Sequence, residues 1–457
     1  MNSNMSARLA GGPDNHDGMT PAMIAQAEWI RERMEGRDEA LLEEDGDLSI
    51  RGPSSAPCLI AVESASGIWI TDHAGRKYMD LYGNNCHHIG HHHPQLIAAL
   101  KAQMDTLAFV PRGLTSAPSV EFPQRLRAAA GWPDAKVVSA RSGADAIEIA
   151  LALARANTGR YKTISFYDAY HGRSSGALSL GGRADDKLGL GPLLPGAIHV
   201  PPYFRFGREA LGENHEAYAR QSLEAIRTVF EYERDIAAVV AETIRNGAYA
   251  PPDWYWHEVR GLCDEFGALL ILDEIATGLG KTGSLFNYHR YCVRPDIVVL
   301  GKALGGAVLP LSAVLADARL DRMPQLNIGY FTHEKNPLCA RAGLATLEII
   351  EQGKLPERAM KLGAHAAARI AALPAQYAVV RETRSAGLMF ALEFRDSGQR
   401  DSAEQMSRKV QRACIDRGLL PTIPKGASLT FSAPLIIEQS ELDQAIDVLC
   451  DAISACC

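Results

Sequence analysis

Short apolar runs cut off abruptly by polar residues recur through the middle of the chain: IAAVVA at 236–241, LLIL at 269–272 and IVVL at 297–300. Runs of this length predict strands buried on both faces, as in a parallel sheet. Between them the period changes. In SGADAIEIALALARANTG, Ile147, Ala150, Leu151 and Leu153 fall on or near one stripe of a helix, and WYWHEVRGLCDEFG reads as another. From Lys136 on, strand, turn and amphipathic helix alternate, which predicts βαβ units and an α/β fold. Ahead of them lie a helix from Pro21 to about Met34, a β meander over CLIAVES and GIWITDHAGRKYMDLYG, and a helix over QLIAALKAQMDTL. The Gly- and Pro-rich stretch 177–214 predicts a long surface excursion near the site entrance. Beyond 310, LSAVLADARL reads as a strand with its helix, and IGYFTHEKNP as a polar loop before a long helix. Strands around YAVVRETRSAGLMFALEF, a helix around SAEQMSRKVQRACIDRG, a strand SLTFSAPLII and a final helix from Glu441 have the pattern of a separate small domain. The expected organisation is a mobile leader over 1–20, an N-terminal part of the small domain over 21–85, a large domain over 86–345 and the rest of the small domain over 346–457.

Composition narrows the partners. Lys plus Arg number 47 against 54 Asp plus Glu, a net charge of −7, which implies no polyanion partner, nucleic acid included. A chain of 457 residues is long enough for two or three domains. No apolar run approaches the length of a membrane helix, and the opening MNSNMSARLAGGPDNHDG lacks the apolar core of a signal peptide, so a cytoplasmic protein is expected. The nine cysteines show no CxxC spacing and fit reduced thiols.

Chemistry enters where the apolar runs end. The run at 269–272 delivers Asp273, and the run at 297–300 delivers Lys302. Ligands of open α/β sheets sit outside the carboxyl ends of the strands, so an acid and a lysine emerging there are placed for reaction. Gly301 and the Gly305-Gly306 pair leave room for a flat cofactor beside Lys302, and a lysine amine forms a Schiff base with an aldehyde. Pyridoxal phosphate needs that lysine and an acid at its ring nitrogen. Ser142 opens a helix whose free amides at Gly143 and Ala144 form a seat for a phosphate. Tyr170, with His171 beside it, follows a strand end where an aromatic ring stacks on a pyridine or joins the core. In NNCHHIGHHHP, residues His87, His88, His91, His92 and His93 crowd together without metal-ligand spacing, which predicts a loop near the active site rather than a metal centre. Arg112, in a Pro/Gly loop, is either merely exposed or suited to grip a carboxylate or phosphonate with its two-pronged fork.

Five pieces in order, SGADAIEIALALAR, YHGRSSGALS, LLILDEIATGLGKTG, LGKALGGAVLP and FTHEKNPLCARAGLATL, resemble the class III aminotransferases. The resemblance covers nearly the whole chain after the leader. It implies the type I fold of pyridoxal-phosphate-dependent transferases: a mostly parallel seven-stranded sheet with helices on both faces, and a small α+β domain built from the N- and C-terminal segments. It also implies pyridoxal 5'-phosphate as cofactor, with Lys302 as the Schiff-base lysine and Asp273 on the pyridinium nitrogen. Ser142, Gly143 and Ala144 then hold the phosphate, Tyr170 stacks on the ring beside His171, and Glu242 matches the glutamate of the family's V-E-P stretch. Thr332 matches the threonine that reaches the phosphate of a neighbouring subunit, which implies at least a homodimer, with pairing into a tetramer left open.

Two departures bear on activity. Ala276 stands where the family has a glutamine that touches the cofactor's phenolic oxygen, and Thr430 stands where transaminases carry the arginine for an α-carboxylate. A buried anion without its partner is costly, so either another arginine substitutes or the usual keto-acid half-reaction is not performed. PRGLTSAP, GPLLPGAIHVPP, AETIR and FTHEKNP resemble a subgroup of ammonia-lyases that act on 1-hydroxy-2-aminoethylphosphonate. Arg112 and Arg245 are then the candidates for binding the phosphonate, with His333 and Lys335 as contributors from a second subunit. An ω- or amine transaminase is the chief rival; a non-catalytic, cofactor-carrying or metal-binding protein is the remote one.

Overall fold

The apolar runs become the centre of one large sheet. The computed structural model describes residues 21–33, 36–50, 52, 58–204, 214–396 and 402–457; the expected leader, 1–20, lies outside them. In chain order the strands are β1 (Lys136–Ala140), β2 (Lys162–Phe166), β3 (Ala197–Val200), β4 (Ile236–Glu242), β5 (Leu269–Asp273), β6 (Ile297–Leu300) and β7 (Ser312–Ala316). In space they run β1-β7-β6-β5-β4-β2-β3. All are parallel except β7, which runs against both its neighbours.

Every residue of β4, β5, β6 and β7 is buried. Alternation sorts them: Ala238, Val240, Leu269 and Ile271 face one core, and Val239, Ala241, Leu270 and Leu272 the other. Each buried Leu, Ile or Val contributes on the order of 1.5–3 kcal/mol. The first core is closed by helix α1 (Gly143–Thr158) through Ala146, Ile147, Ala150, Leu151 and Ala154. The same alternation carries the polar residues that end β4 and β5, Glu242 and Asp273, onto the face covered by α1.

The excursion expected over 177–214, of which 205–213 lie outside the described residues, is interrupted by regular structure. Residues 176–180 are buried within the helix Ser175–Leu180, and AIHV forms β3, the edge strand. A four-residue edge strand between Gly196 and the Pro201-Pro202 pair is too short to show a period. The helix Arg37–Leu48 was likewise without a clear signal, since its sequence, RDEALLEEDGDL, is charged nearly all round.

The two ends of the chain build the small domain together. The N-terminal meander Val62–Ser66, Trp69–Asp72 and Lys77–Asp80 is joined in parallel by Leu419–Leu420. A second, antiparallel sheet orders Val380–Ala386, Met389–Phe394 and Ser428–Ser432, with the helices Ala403–Asp416 and Gln439–Cys456 from the same segment. Ser432 N–H donates to Leu81 O at 2.7 Å and Leu435 N–H to His88 O at 2.8 Å, tying the tail to the histidine-rich turn. Among the described residues no helix is long and apolar enough to cross a membrane.

Candidate active site

Glu242 and Asp273 are paired in register across β4 and β5, and β6 ends one residue before Gly301-Lys302. Asp273 is 4% exposed; one oxygen accepts Ile275 N–H at 2.9 Å and the other lies 2.8 Å from His171 Nδ1. The imidazole thereby fixes the carboxylate's orientation, while its own Nε2 is buried with no partner. Lys302 opens the short turn Lys302–Gly305 at φ +46°, a left-handed conformation that costs a non-glycine residue about 1–3 kcal/mol and is characteristic of functional sites.

One side chain joins the pieces. A Cβ at Gly143 would stand 2.7 Å from Ile275 Cδ1, and a Cβ at Gly301 would stand 3.2 Å from Ile275 Cγ2 and 2.6 Å from Ser312 Oγ. The start of α1, the end of β5 and the Lys302 turn therefore meet around Ile275, and a side chain at either glycine would force Ile275 or Ser312 to shift. Gly172, at φ +136°, packs the turn that bears Tyr170 and His171 onto the same helix start, where a Cβ would meet Ala144 Cβ at 2.7 Å. Ser142 caps α1, its Oγ accepting Asp145 N–H at 3.1 Å, so the amides of Gly143 and Ala144 remain without helical acceptors at the positive end of the helix.

Beside this floor lies a buried ion cluster. Arg245, 5% exposed, bonds Glu242 Oε1 through Nη1 at 3.2 Å and Asp168 Oδ2 through Nη2 at 3.2 Å. Burial opposes its charge, yet Glu242 and Asp168 outweigh that and raise its pKa. Glu242 also accepts the backbone N–H of Tyr170 at 3.4 Å. Thr430 lies close to the loop after Arg245, for a Cβ at Gly247 would be 3.8 Å from its Oγ1. Arg384 also reaches this loop, donating to Gly247 O at 3.3 Å, but Glu382 and Glu393 pair with its guanidinium.

The histidine-rich turn braces the site from below. His87 and His91 bond the backbone carbonyl and the carboxylate of Asp80 at 2.9 and 2.8 Å, and His88 bonds Gly278 O at 3.1 Å. Burial drives the His87 pKa down to about 4 and that of His88 well below its usual value, so both are neutral struts. Among the described residues no three His, Cys, Asp or Glu side chains are grouped to hold a metal. Lys281, fully buried, donates to Ala433 O at 2.6 Å, and burial lowers its pKa to about 7.

The remaining candidates sit on two loops that pack on each other. Arg112 stacks on Tyr330 at 3.5 Å and pairs with Glu334 at 3.2 Å, Phe109 contacts the His333 ring, and Ser119 bonds Lys335 O at 2.9 Å. These loops border a separate cavity of about 390 Å³, lined by Ser119, Arg141, His333, Lys335 and Asn336 among others; Lys302, Asp273 and His171 do not line it. Thr332, on the second loop, makes no hydrogen bond to Lys302, Asp273 or His171. Sequence reasoning placed His171 beside the ring and missed its bond to Asp273. It placed Glu242 and Arg245 together at the end of one buried strand but missed the ion pair between them, for which their spacing of three residues was a signal. Ala276, at the departure noted above, is buried.

The family model described as aminotransferase class-III matches residues 50–453. The chain belongs to the class III aminotransferase family. It is 32% identical over 448 residues, 95% of this chain and 94% of the relative, to the (R)-1-hydroxy-2-aminoethylphosphonate ammonia-lyase of Vibrio splendidus (strain 12B01). It is 33% identical over 412 residues, 86% of this chain and 94% of the relative, to the ornithine aminotransferase of Staphylococcus carnosus (strain TM300). Among solved structures, an amine transaminase from an uncultivated Pseudomonas species in its PLP-bound form matches with a TM-score of 0.84 at 28% identity, over 90% of this chain and 99% of that one. This class III protein is an enzyme, and its cofactor is pyridoxal 5'-phosphate. The geometry fits that group: the cofactor presents an aldehyde, a ring nitrogen and a phosphate, and the floor offers a lysine, an oriented carboxylate and two free amides at a helix start. Those three groups converge where glycines keep the backbone bare.

Proposed function

We propose that this class III enzyme is an ammonia-lyase that converts a 2-amino-1-hydroxy phosphonate to an aldehyde and ammonia, with Lys302 as its catalytic base. The observation that carries the reading is the pairing at Arg245. Thr430 stands where an arginine for a keto acid's carboxylate is expected, and the arginine of the adjoining loop already serves Glu242 and Asp168. A lyase takes a single substrate and needs no keto-acid partner. The likeness to the Vibrio splendidus ammonia-lyase along nearly all of both chains supports the same reading.

Pyridoxal phosphate, when bound, supplies an aldehyde for the substrate amine and a ring that takes up the electron pair left when a bond at the amino-bearing carbon breaks. In this reading Lys302 carries the cofactor and Asp273 keeps its ring nitrogen protonated, with His171 holding the carboxylate in place. Tyr170 would lie against the ring, and Ser142, Gly143 and Ala144 would hold the phosphate. Lys302 Nζ removes a proton from the amino-bearing carbon and returns one to the departing hydroxyl. The water lost there is regained on hydrolysis, so the substrate divides into aldehyde and ammonia without an oxidant. Arg112 and Arg245, the sequence-based candidates for the phosphonate, are already paired, with Glu334 and with Glu242 and Asp168. Thr332, with His333 and Lys335, serves the site of a second copy, which makes the enzyme a homodimer or a pair of dimers.

A transaminase is the second reading, favoured by the likeness to the ornithine aminotransferase and the amine transaminase, because the same floor serves either fate of the substrate. Incubation with 2-amino-1-hydroxyethylphosphonate and no keto acid separates them. Ammonia and aldehyde should accumulate over many turnovers; arrest after a single equivalent per subunit, relieved by pyruvate, would assign the transaminase instead.

A further inference from the structure

We infer that Lys425 is the cation that binds the substrate's anionic group, reaching the site from the small domain across the face of Tyr170. The inference deepens the proposed function and rests on its placement of the cofactor against Tyr170.

Lys425 sits on the turn that leads into the strand Ser428–Ser432. Two backbone bonds to Ser428, at 3.0 and 3.2 Å, close that turn, Gly426 takes φ +58°, and Ser407 Oγ donates to Gly426 O at 2.8 Å. The base of the side chain is thereby fixed, and its Nζ lies 5.8 Å from the centroid of the Tyr170 ring. The lysine is exposed. Dehydration by the protein around it, together with Arg245, Arg183 and Lys302, lowers its pKa to about 8.

What distinguishes Lys425 is its lack of a counter-ion. Arg173 pairs with Asp186 at 2.8 Å, Arg183 with Asp168 and Asp186 at 3.6 and 3.9 Å, and Arg245 with Glu242 and Asp168. Among the described residues no carboxylate lies within salt-bridge distance of Lys425, and Glu242 acts on it only from farther away. Three carboxylates serve the three arginines, and the ammonium beside the reacting centre is left for an anion from outside. A lysine meets a phosphonate as a compact point charge, and one flanked by other cations gains most from an arriving anion. A floor that binds the amine end and a rim cation that binds the anionic end would together select short, anion-bearing amines.

Methylphosphonate, which has no amine and cannot react, is the probe, titrated into the holoenzyme by calorimetry. The unaltered enzyme should bind one per subunit. Lys425→Ala should weaken binding at least about 30-fold, as expected for loss of a charge-assisted bond, and Lys425→Arg should restore it to within about fivefold. Unchanged affinity in Lys425→Ala, no binding to the unaltered enzyme at millimolar concentration, or loss of binding in Arg112→Ala alone would each overturn the assignment. Failure here is distinct from failure of the lyase reading. Arrest after one turnover with anion binding still dependent on Lys425 removes the lyase and keeps the site. Sustained ammonia release with Lys425→Ala binding methylphosphonate normally does the reverse.

Discussion

The floor of the site and its rim are built on opposite plans. The floor gathers the ends of neighbouring strands: Glu242 beside Asp273, then Lys302 one strand on, with Ile275 wedged between Gly143 and Gly301. Each group is placed by a fully buried strand, so its position follows from sheet register. The rim is assembled from turns and tails, namely Arg245, Lys425 and, from a second copy in the proposed dimer, the loop carrying Thr332. Its charges are set by which carboxylates happen to be near. On the proposed reading, a floor of this kind serves any reaction of the cofactor, and the rim selects the amine. The ornithine aminotransferase and the phosphonate ammonia-lyase can therefore be almost equally identical to this chain, although the ammonia-lyase matches more of it.

The sharpest way to break the comparison is at Lys302. Lys302→Ala should lower turnover by about 10⁴-fold or more and abolish the visible absorbance of the lysine-bound cofactor, with the far-ultraviolet circular dichroism intact. A retained band would move the covalent link elsewhere. His171→Phe should cost about 10- to 100-fold in kcat with a smaller change in KM, because Asp273 loses its orienting partner but keeps its charge. An unchanged kcat would reduce His171 to packing. On the rim, Thr332→Ala should weaken cofactor retention about tenfold, read by dialysis of the holoenzyme, if a second copy supplies that hydroxyl. A monomer in sedimentation would remove the basis for that expectation.

The smallest effect is a pH dependence. Lys425 faces Arg245, Arg183, Lys302, Glu242 and Tyr170, and its pKa is lowered to about 8. A lysine with a depressed pKa is charged below that value and loses its charge as pH rises through it. Binding of sulfate, whose own charge is constant, should therefore weaken above about pH 8, approaching tenfold per pH unit, and stay level in Lys425→Arg. The same slope in both proteins would mean that another group titrates.

What the sequence revealed follows the same division. The runs at 269–272 and 297–300 announce buried strands, and a polar residue at the end of such a run has few places to be other than the ligand edge. The start of α1 was equally legible, since Ser142 followed by two small residues is a local signal. The bond between His171 and Asp273 joins residues 102 positions apart and depends on how one turn packs on Ala144, which no periodicity encodes. Lys425 was invisible for a different reason. Its importance lies in the absence of a carboxylate, and an absence is legible only once the neighbours are in place. The edge strand AIHV was missed because four residues between glycine and proline give no alternation to count.

The strand Lys77–Asp80 takes Leu419–Leu420 as its parallel neighbour, and Ser432 then bonds Leu81. A ribosome making this polypeptide releases the first partner on the order of tens of seconds before the second exists. Throughout that interval the early hairpin presents an unsatisfied edge, the kind of surface that recruits chaperones or sticks to its like. In the large sheet β1 also waits for β7, but over a shorter stretch of chain, so biosynthesis of this protein is expected to be limited most by the wait for Leu419–Leu420.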